Sequence, residues 1–242
     1  SLITSRPFRS PHHTVSAIAL TGGSSMPKPG EISLSHYGVL FLDELPEFKR
    51  SVLEALRQPM EDGHVTIARV NSTVSYPSKF MLVSAMNPCP CGYLGDSRCH
   101  CSTSEIAKYR KRISGPLLDR IDIFAETPDV SYNDLSKKTK SESSAEIKSR
   151  VSAARDIQLK RYNNDGIFFN SQLTSSQTEK YCVMDNDASE LIKAAFDSLR
   201  LSARAYHKIL KVARTIADLE GSSKIRLEHA AEALQYRNLS LP

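Results

Sequence analysis

Val39-Leu40-Phe41-Leu42-Asp43-Glu44 is the stretch on which the reading of this chain turns. Four apolar residues run without a break and stop at two adjacent carboxylates. An unbroken apolar run fits a strand buried on both faces, as in a parallel sheet covered by helices, whereas a strand with one wet face alternates. In open α/β sheets ligands gather outside the carboxyl ends of the strands. One acid there can hold Mg²⁺ through its waters, and the next can polarise an attacking water. A strand that stops at a solvated acidic turn explains the same letters, so the motif needs company.

Residues 80–83 supply a second apolar run, which continues through Ser84, Ala85 and Met86 to Asn87. An amide at the same end of a neighbouring strand can donate to a phosphate oxygen or orient a water, although an Asn turn before Pro88 is the plainer alternative. Between the two runs, residues 50–60 put Val52, Leu53 and Leu56 at helical spacing. Residues 64–70 and 72–76 alternate around Asn71 and read as a hairpin with Arg69 near its tip.

Further along, the pattern changes. Residues 128–144 form a polar linker, with no large apolar side chain after Leu135. Beyond it Ser143 with Glu146, Thr174 with Gln177 and, more weakly, Asp187 with Glu190 stand three apart as helix starts. Ile147, Val151 and Ala154 make one stripe; Leu201, Ala205, Leu210, Ala213 and Ile216 make a longer one that Gly221 ends. The expected organisation is an α/β core over 1–127, a linker over 128–144 and a helical bundle over 145–242.

Composition agrees with a globular chain. In 242 residues, 40% are apolar and 24% charged, which excludes collagen, coiled coil and disorder. No apolar stretch is long enough to span a membrane, and the first ten residues lack the apolar segment of a secretory signal, so a cytoplasmic protein is expected. The net charge of +5 permits a polyanion partner without requiring one. Basic residues cluster at Lys108, Arg110, Lys111 and Arg112, and recur at helical spacing at Arg200, Arg204, Lys208 and Lys211. Such faces are more often simply solvated.

Of five cysteines, Cys89, Cys91, Cys99 and Cys101 form two Cys-x-Cys pairs seven residues apart. Four thiolates suit tetrahedral Zn²⁺, and four reduced thiols in a loop are the alternative. Cys182 reads as a small buried residue. His12 and His13 would point to opposite sides of an extended chain and read as structural or nucleic-acid contacts.

Read together, Arg6 to Thr14 (RPFRSPHHT), Pro29 to Leu34 (PGEISL), Gly38 to Leu45 (GVLFLDEL), Asn87 to Gly92 (NPCPCG) and Gly115 to Asp122 (GPLLDRID) stand in an order that resembles magnesium-chelatase-related AAA+ ATPases of the ComM/YifB type. The resemblance covers essentially the whole chain and implies a partial P-loop-type parallel-sheet core followed by an all-α lid. It implies that Asp43 and Glu44 are the Walker B pair, Asp43 supporting Mg²⁺ and Glu44 activating water, and that Asn87 is sensor 1. It further implies that Arg120 is an arginine finger offered to a neighbouring subunit and Arg204 the sensor 2 arginine of the lid. A planar guanidinium suits both tasks because it stabilises charge on a γ-phosphate. The hairpin at Arg69 stands where related ring motors place a pore loop.

A phosphate-binding Gly-x-x-x-x-Gly-Lys loop is not found, since the chain has no Gly-Lys dipeptide. Family members carry that loop upstream of the segment that begins here. The chain is therefore expected to be the C-terminal part of a longer ATPase, to bind ATP with Mg²⁺ only in that longer protein, and to assemble there as a hexameric DNA motor. A chelatase subunit inserting Mg²⁺ into a porphyrin and a non-catalytic zinc-stabilised interaction module are the alternative readings.

Overall fold

The computed structural model describes residues 5–23, 27–69, 72–127 and 142–237. They divide between Ile121 and Asp122 into two compact units. Most of the linker expected at 128–144 lies outside the described residues.

In the first unit, β1 (Phe8–Arg9) is followed by α1 (Ala17–Thr21), α2 (Glu31–Leu34) and β2 (Val39–Leu42). A 3₁₀ turn at Leu45–Glu47 leads into α3 (Arg50–Ala55) and α4 (Arg57–Asp62). The hairpin β3 (His64–Arg69) and β4 (Ser72–Pro77), the strand β5 (Met81–Ser84), α5 (Thr103–Arg110) and α6 (Gly115–Leu118) complete it. The sheet is parallel, in the order β1-β2-β5, with Val39 opposite Met81 and Leu42 opposite Ser84. The mixed α/β fold is thus the one the sequence implies. Gly38 is needed at the start of β2, where a Cβ would stand 1.9 Å from the Pro7 carbonyl oxygen. That approach lets the Val39 N–H reach the same oxygen at 2.9 Å and open the pairing with β1.

One expectation fails here. Leu40 and Leu42 are fully buried and Leu82 packs on the same core, joined by Leu20, Ile32, Val52, Leu53, Leu56 and Leu117. The opposite face carries Phe8, Met81 and Val83, which are exposed, so within the described residues the sheet is covered on one face only. A side-chain period of two separates those sets, and an apolar run does not report which faces this chain itself covers.

The helix expected over 50–60 is real but broken at Leu56. Pro59 has no N–H for the Ala55 carbonyl and its ring crowds that oxygen, which ends α3 and restarts the chain as α4.

In the second unit α7 (Ser144–Arg161), α8 (Ser175–Tyr181), α9 (Asn186–Ser198), α10 (Ala203–Glu220) and α11 (Leu227–Gln235) pack as a bundle. Ser143 and Thr174 cap α7 and α8 through full capping boxes with Glu146 and Gln177. Asp185 rather than Asp187 caps α9, its carboxylate accepting from the Ala188 N–H at 2.8 Å. Ser202 opens α10 and Gly221, at φ +77°, closes it in the left-handed conformation a side chain resists. Of the stripe expected on α7, Ala154 is buried, whereas Ile147 and Val151 are exposed.

A buried polar network sits inside this bundle. Asp218 is fully buried and accepts from Arg161 Nη1 at 2.9 Å, from Arg214 Nε at 3.1 Å and from Asn170 Nδ2 at 2.9 Å. Arg214, 1% exposed, also donates to the Ser222 and Ser223 carbonyls. Replacing Asp218 with Asn keeps the shape but leaves two covered guanidinium groups without their anion. The expected loss is about 3–5 kcal/mol of stability, read as a lower urea midpoint of the helical signal. A loss below about 1 kcal/mol would place this network with ordinary surface ion pairs.

Candidate functional site

The register of the sheet sets Leu42 beside Ser84, so Asp43 and Glu44 leave β2 at the same end at which Ala85 to Asn87 leave β5. The two segments are tied across that end, the Leu45 N–H donating to the Ala85 carbonyl at 3.0 Å and the Ala85 N–H to the Leu42 carbonyl at 3.0 Å. Asp43, Glu44 and Asn87 are all exposed. Asp43 Oδ1 accepts from the Glu44 N–H at 2.9 Å. Glu44 has φ +52° and ψ +47°, a left-handed conformation that a glutamate adopts at a cost and that recurs where a turn must aim a side chain.

What Glu44 meets is His13, which the sequence suggested only as a structural or nucleic-acid contact. His13 Nδ1 lies 3.1 Å from Glu44 Oε2, and the His13 ring packs edge-on against Phe48. Because β1 lies beside β2 in parallel, the Pro11-His12-His13-Thr14 turn after β1 emerges at the carboxyl end of the sheet as well. Strand order was the missing signal, and it cannot be read from spacing. The site thus gathers a metal-capable carboxylate, a second carboxylate with an imidazole beside it, and an amide, all opening to solvent.

The four cysteines come together as the spacing suggested. Cys89 Sγ lies 3.4 Å from Cys91 Sγ and 3.9 Å from Cys99 Sγ, Cys91 and Cys99 are 3.7 Å apart, and all four sulfurs fall within 4.8 Å of one another. Those separations are far beyond an S–S bond. They match the roughly 3.8 Å edge of a tetrahedron built on Zn–S bonds of about 2.3 Å. A hydrogen bond from the Tyr93 backbone, aided by the neighbouring thiols, holds the Cys91 thiol down to about 6, while the same shared thiols push Cys99 up and Cys101 up to about 12. Four sulfurs at these separations fit a soft divalent cation. His100 is exposed and, among the described residues, belongs to no such group. Cys182 is buried in the bundle, and burial pushes its thiol up to about 11. A second cluster, Glu220, Glu228 and His229, is already engaged: His229 Nδ1 accepts from the Arg226 N–H at 3.0 Å, and Arg226 pairs with Glu220 at 2.6 Å and Glu228 at 2.8 Å.

Arg120 makes several contacts within its own unit. Its side chain is 10% exposed, pairs with Glu61 at 2.6 Å, and donates to the Arg57 carbonyl at 3.2 Å and the Pro116 carbonyl at 2.5 Å. Glu61, distant in sequence, is its ion-pair partner in this set of contacts. Arg204 is exposed in the first turn of α10, in the second unit. Arg69 is the last paired residue of β3, opposite Ser72, and residues 70 and 71 lie outside the described residues. The basic cluster is not uniform: Arg112 pairs with Glu47 at 2.8 Å, and Arg110 Nε donates to the Pro88 carbonyl at 3.4 Å. Lys108 and Lys111 line an open groove with Arg50, Ser104 and Phe48. No helix among the described residues is long and apolar enough to cross a membrane.

Comparison with known proteins covers nearly all of the chain. The family described as magnesium chelatase, subunit ChlI, matches residues 1–135, and its C-terminal counterpart matches residues 141–237. The competence protein ComM of Haemophilus influenzae is 46% identical over 96% of this chain and 45% of its own length. YifB of Escherichia coli is 45% identical over the same shares. A chloroplastic magnesium-chelatase subunit, ChlI-2 of Arabidopsis thaliana, is 24% identical over 87% of this chain and 45% of its own length. The chain thus spans about half the length of the curated relatives it matches.

Proposed function

The chain belongs to the magnesium chelatase ChlI family, an AAA+-like family, and from that premise we propose that it is the hydrolysis, sensor and lid portion of an ATP-driven, hexameric DNA motor. The observation that carries the reading is the convergence of Asp43, Glu44 and Asn87 at one end of a parallel sheet, with Glu44 turned by its left-handed backbone toward His13.

In this proposal Asp43 supports Mg²⁺, which when bound neutralises charge on the β- and γ-phosphates. Glu44 takes the proton of the attacking water, and His13, at 3.1 Å, orients the carboxylate for that task. Asn87 donates its amide to a γ-phosphate oxygen. Arg204, on the lid, and Arg120, from a neighbouring subunit, stabilise charge as the γ-phosphoryl transfers. Arg120 reaches that role only by exchanging Glu61 for the nucleotide. The phosphate cradle comes from outside this chain, so the chain by itself hydrolyses ATP negligibly. Rapid hydrolysis by a preparation free of contaminating ATPases would refute that.

DNA is the proposed substrate, and the β3–β4 hairpin the element that tracks its backbone. Replacing Arg69 with Ala in the full-length protein is expected to weaken DNA binding and flatten its salt dependence by about one unit, while DNA-independent hydrolysis stays near normal. Unchanged binding and slope across a salt titration would remove the hairpin from the interface.

Zn²⁺ is the proposed ion of Cys89, Cys91, Cys99 and Cys101. Among residues 88–101 only Cys89 is buried, so the loop has almost no core of its own and a metal would contribute folding free energy directly. Elemental analysis after metal-replete purification should find about one zinc per chain; a small fraction of that would defeat the assignment.

A further inference from the structure

The cysteine loop is bound to the strand ends by more than chain continuity. Only Pro88 separates Asn87 from Cys89, and within the loop Gly92, at φ +84°, lies against the Asn87 side chain: a Cβ added there would stand 3.8 Å from Asn87 Cγ. Cys101 runs directly into Ser102, which caps α5 through a capping box with Glu105. The far end of α5 then returns to the site. Tyr109 is 6% exposed, and next to it in sequence Arg110 Nε donates at 3.4 Å to the carbonyl of Pro88, the residue after Asn87. Arg112 lies 5.9 Å over the Tyr109 ring, donates to the Pro46 carbonyl at 3.3 Å and pairs with Glu47, in the turn that follows Glu44. The loop therefore leaves from Asn87, passes through four cysteines into α5, and closes back on both strand ends.

We propose that the metal-filled cysteine loop and α5 form a brace that positions Asn87, so that metal and nucleotide binding are energetically coupled, with Arg110 as the positioning residue between them. The proposal rests on the readings of Asn87 as the γ-phosphate sensor and of the four cysteines as a metal site. The reason is mechanical. Asn87 is exposed and has no core packing to hold it, and the loop behind it is almost as exposed, so its placement depends on what rigidifies that loop. Four thiolates on one cation do so at one end and the Arg110 bond to the Pro88 carbonyl at the other. A metal that favours the nucleotide-bound position of Asn87 must, by linkage, be bound more tightly when nucleotide is present.

The test uses the full-length protein with Co²⁺ in place of zinc, because thiolate-to-cobalt charge-transfer absorption reports the metal site without reference to turnover. Co²⁺ is titrated against a chelator with and without Mg²⁺ and a non-hydrolysable ATP analogue. Nucleotide should raise the Co²⁺ affinity by about fivefold or more and shift the absorption bands. Arg110→Met keeps the aliphatic stem and removes the donor to Pro88, so it should retain Co²⁺ affinity without nucleotide and lose most of the nucleotide-dependent gain. Asn87→Ala should lose it as well. Equal Co²⁺ affinity in the two conditions, in protein shown by fluorescent-nucleotide titration to bind the analogue, overturns the coupling. A full gain in Arg110→Met overturns the assignment of Arg110 as the positioning residue. Protein that binds no nucleotide sinks the ATPase reading, protein that binds no cobalt sinks the metal reading, and either result takes the brace with it.

Discussion

Glu44→Gln in the full-length protein should abolish most ATP turnover, by about 10²–10⁴-fold, while nucleotide binding is retained. Gln keeps the length of the side chain and an acceptor oxygen for His13, so the 3.1 Å contact and the turn after β2 need not collapse. What it loses is the ability to take a proton from water. If Glu44 were only the solvated end of a strand, as its exposure by itself would allow, the same substitution would leave turnover within a few-fold of wild type. The measurement is steady-state hydrolysis beside a fluorescent-nucleotide titration. A near-normal rate with intact binding would remove Glu44 from the chemistry, and a lost rate with lost binding would point to collapse of the turn instead. His13→Asn is the companion variant. It still offers a donor near Glu44, and should retain far more activity than Glu44→Gln if the imidazole orients the carboxylate without exchanging protons.

How much of this was legible in the sequence follows from what each signal is made of. β2 was readable because apolar side chains are letters in the chain, and its polar stop at Asp43 and Glu44 came with it. The capping boxes at Ser143 and Thr174 were readable because side chain and partner lie three residues apart. At Asp187 the same spacing misled, since Asp185, two residues earlier, also carries a carboxylate and its geometry is the one that reaches a free N–H at Ala188. The contact between His13 and Glu44 was not readable, because it depends on β1 lying beside β2. The pairing of Arg120 with Glu61 was hidden for a similar reason: nothing in the sequence favours Glu61 over the nearer Asp119 and Asp122. The break at Leu56 was announced by Pro59 and was there to be read.

Arg120→Ala should lower turnover of the full-length protein by about 10³-fold or more, and mixing should reveal whether the residue acts across a subunit boundary. The pairing of Arg120 with Glu61 and its contacts with the Arg57 and Pro116 carbonyls make a structural role the direct competitor. Both roles predict a loss of activity in the single variant, so that loss decides nothing. The roles part in mixed rings. A ring containing Arg120→Ala and Glu44→Gln subunits has boundaries where an intact Arg120, from the Glu44→Gln chain, faces an intact Glu44, from the Arg120→Ala chain. A finger acting in trans restores hydrolysis at those boundaries, so the mixture exceeds the sum of the separate variants. A brace that acts only within its own unit leaves every Arg120→Ala subunit as damaged as before, and the mixture shows no gain. Glu61→Gln separates the two again: loosening the pair should leave a trans finger functional, because the arginine must leave Glu61 to work, whereas a structural pair would be broken by that change nearly as well as by loss of the arginine. Absence of recovery in rings verified to contain both subunits, together with a thermal midpoint lowered equally by Arg120→Ala and Glu61→Gln, would assign Arg120 to the fold and not to the reaction.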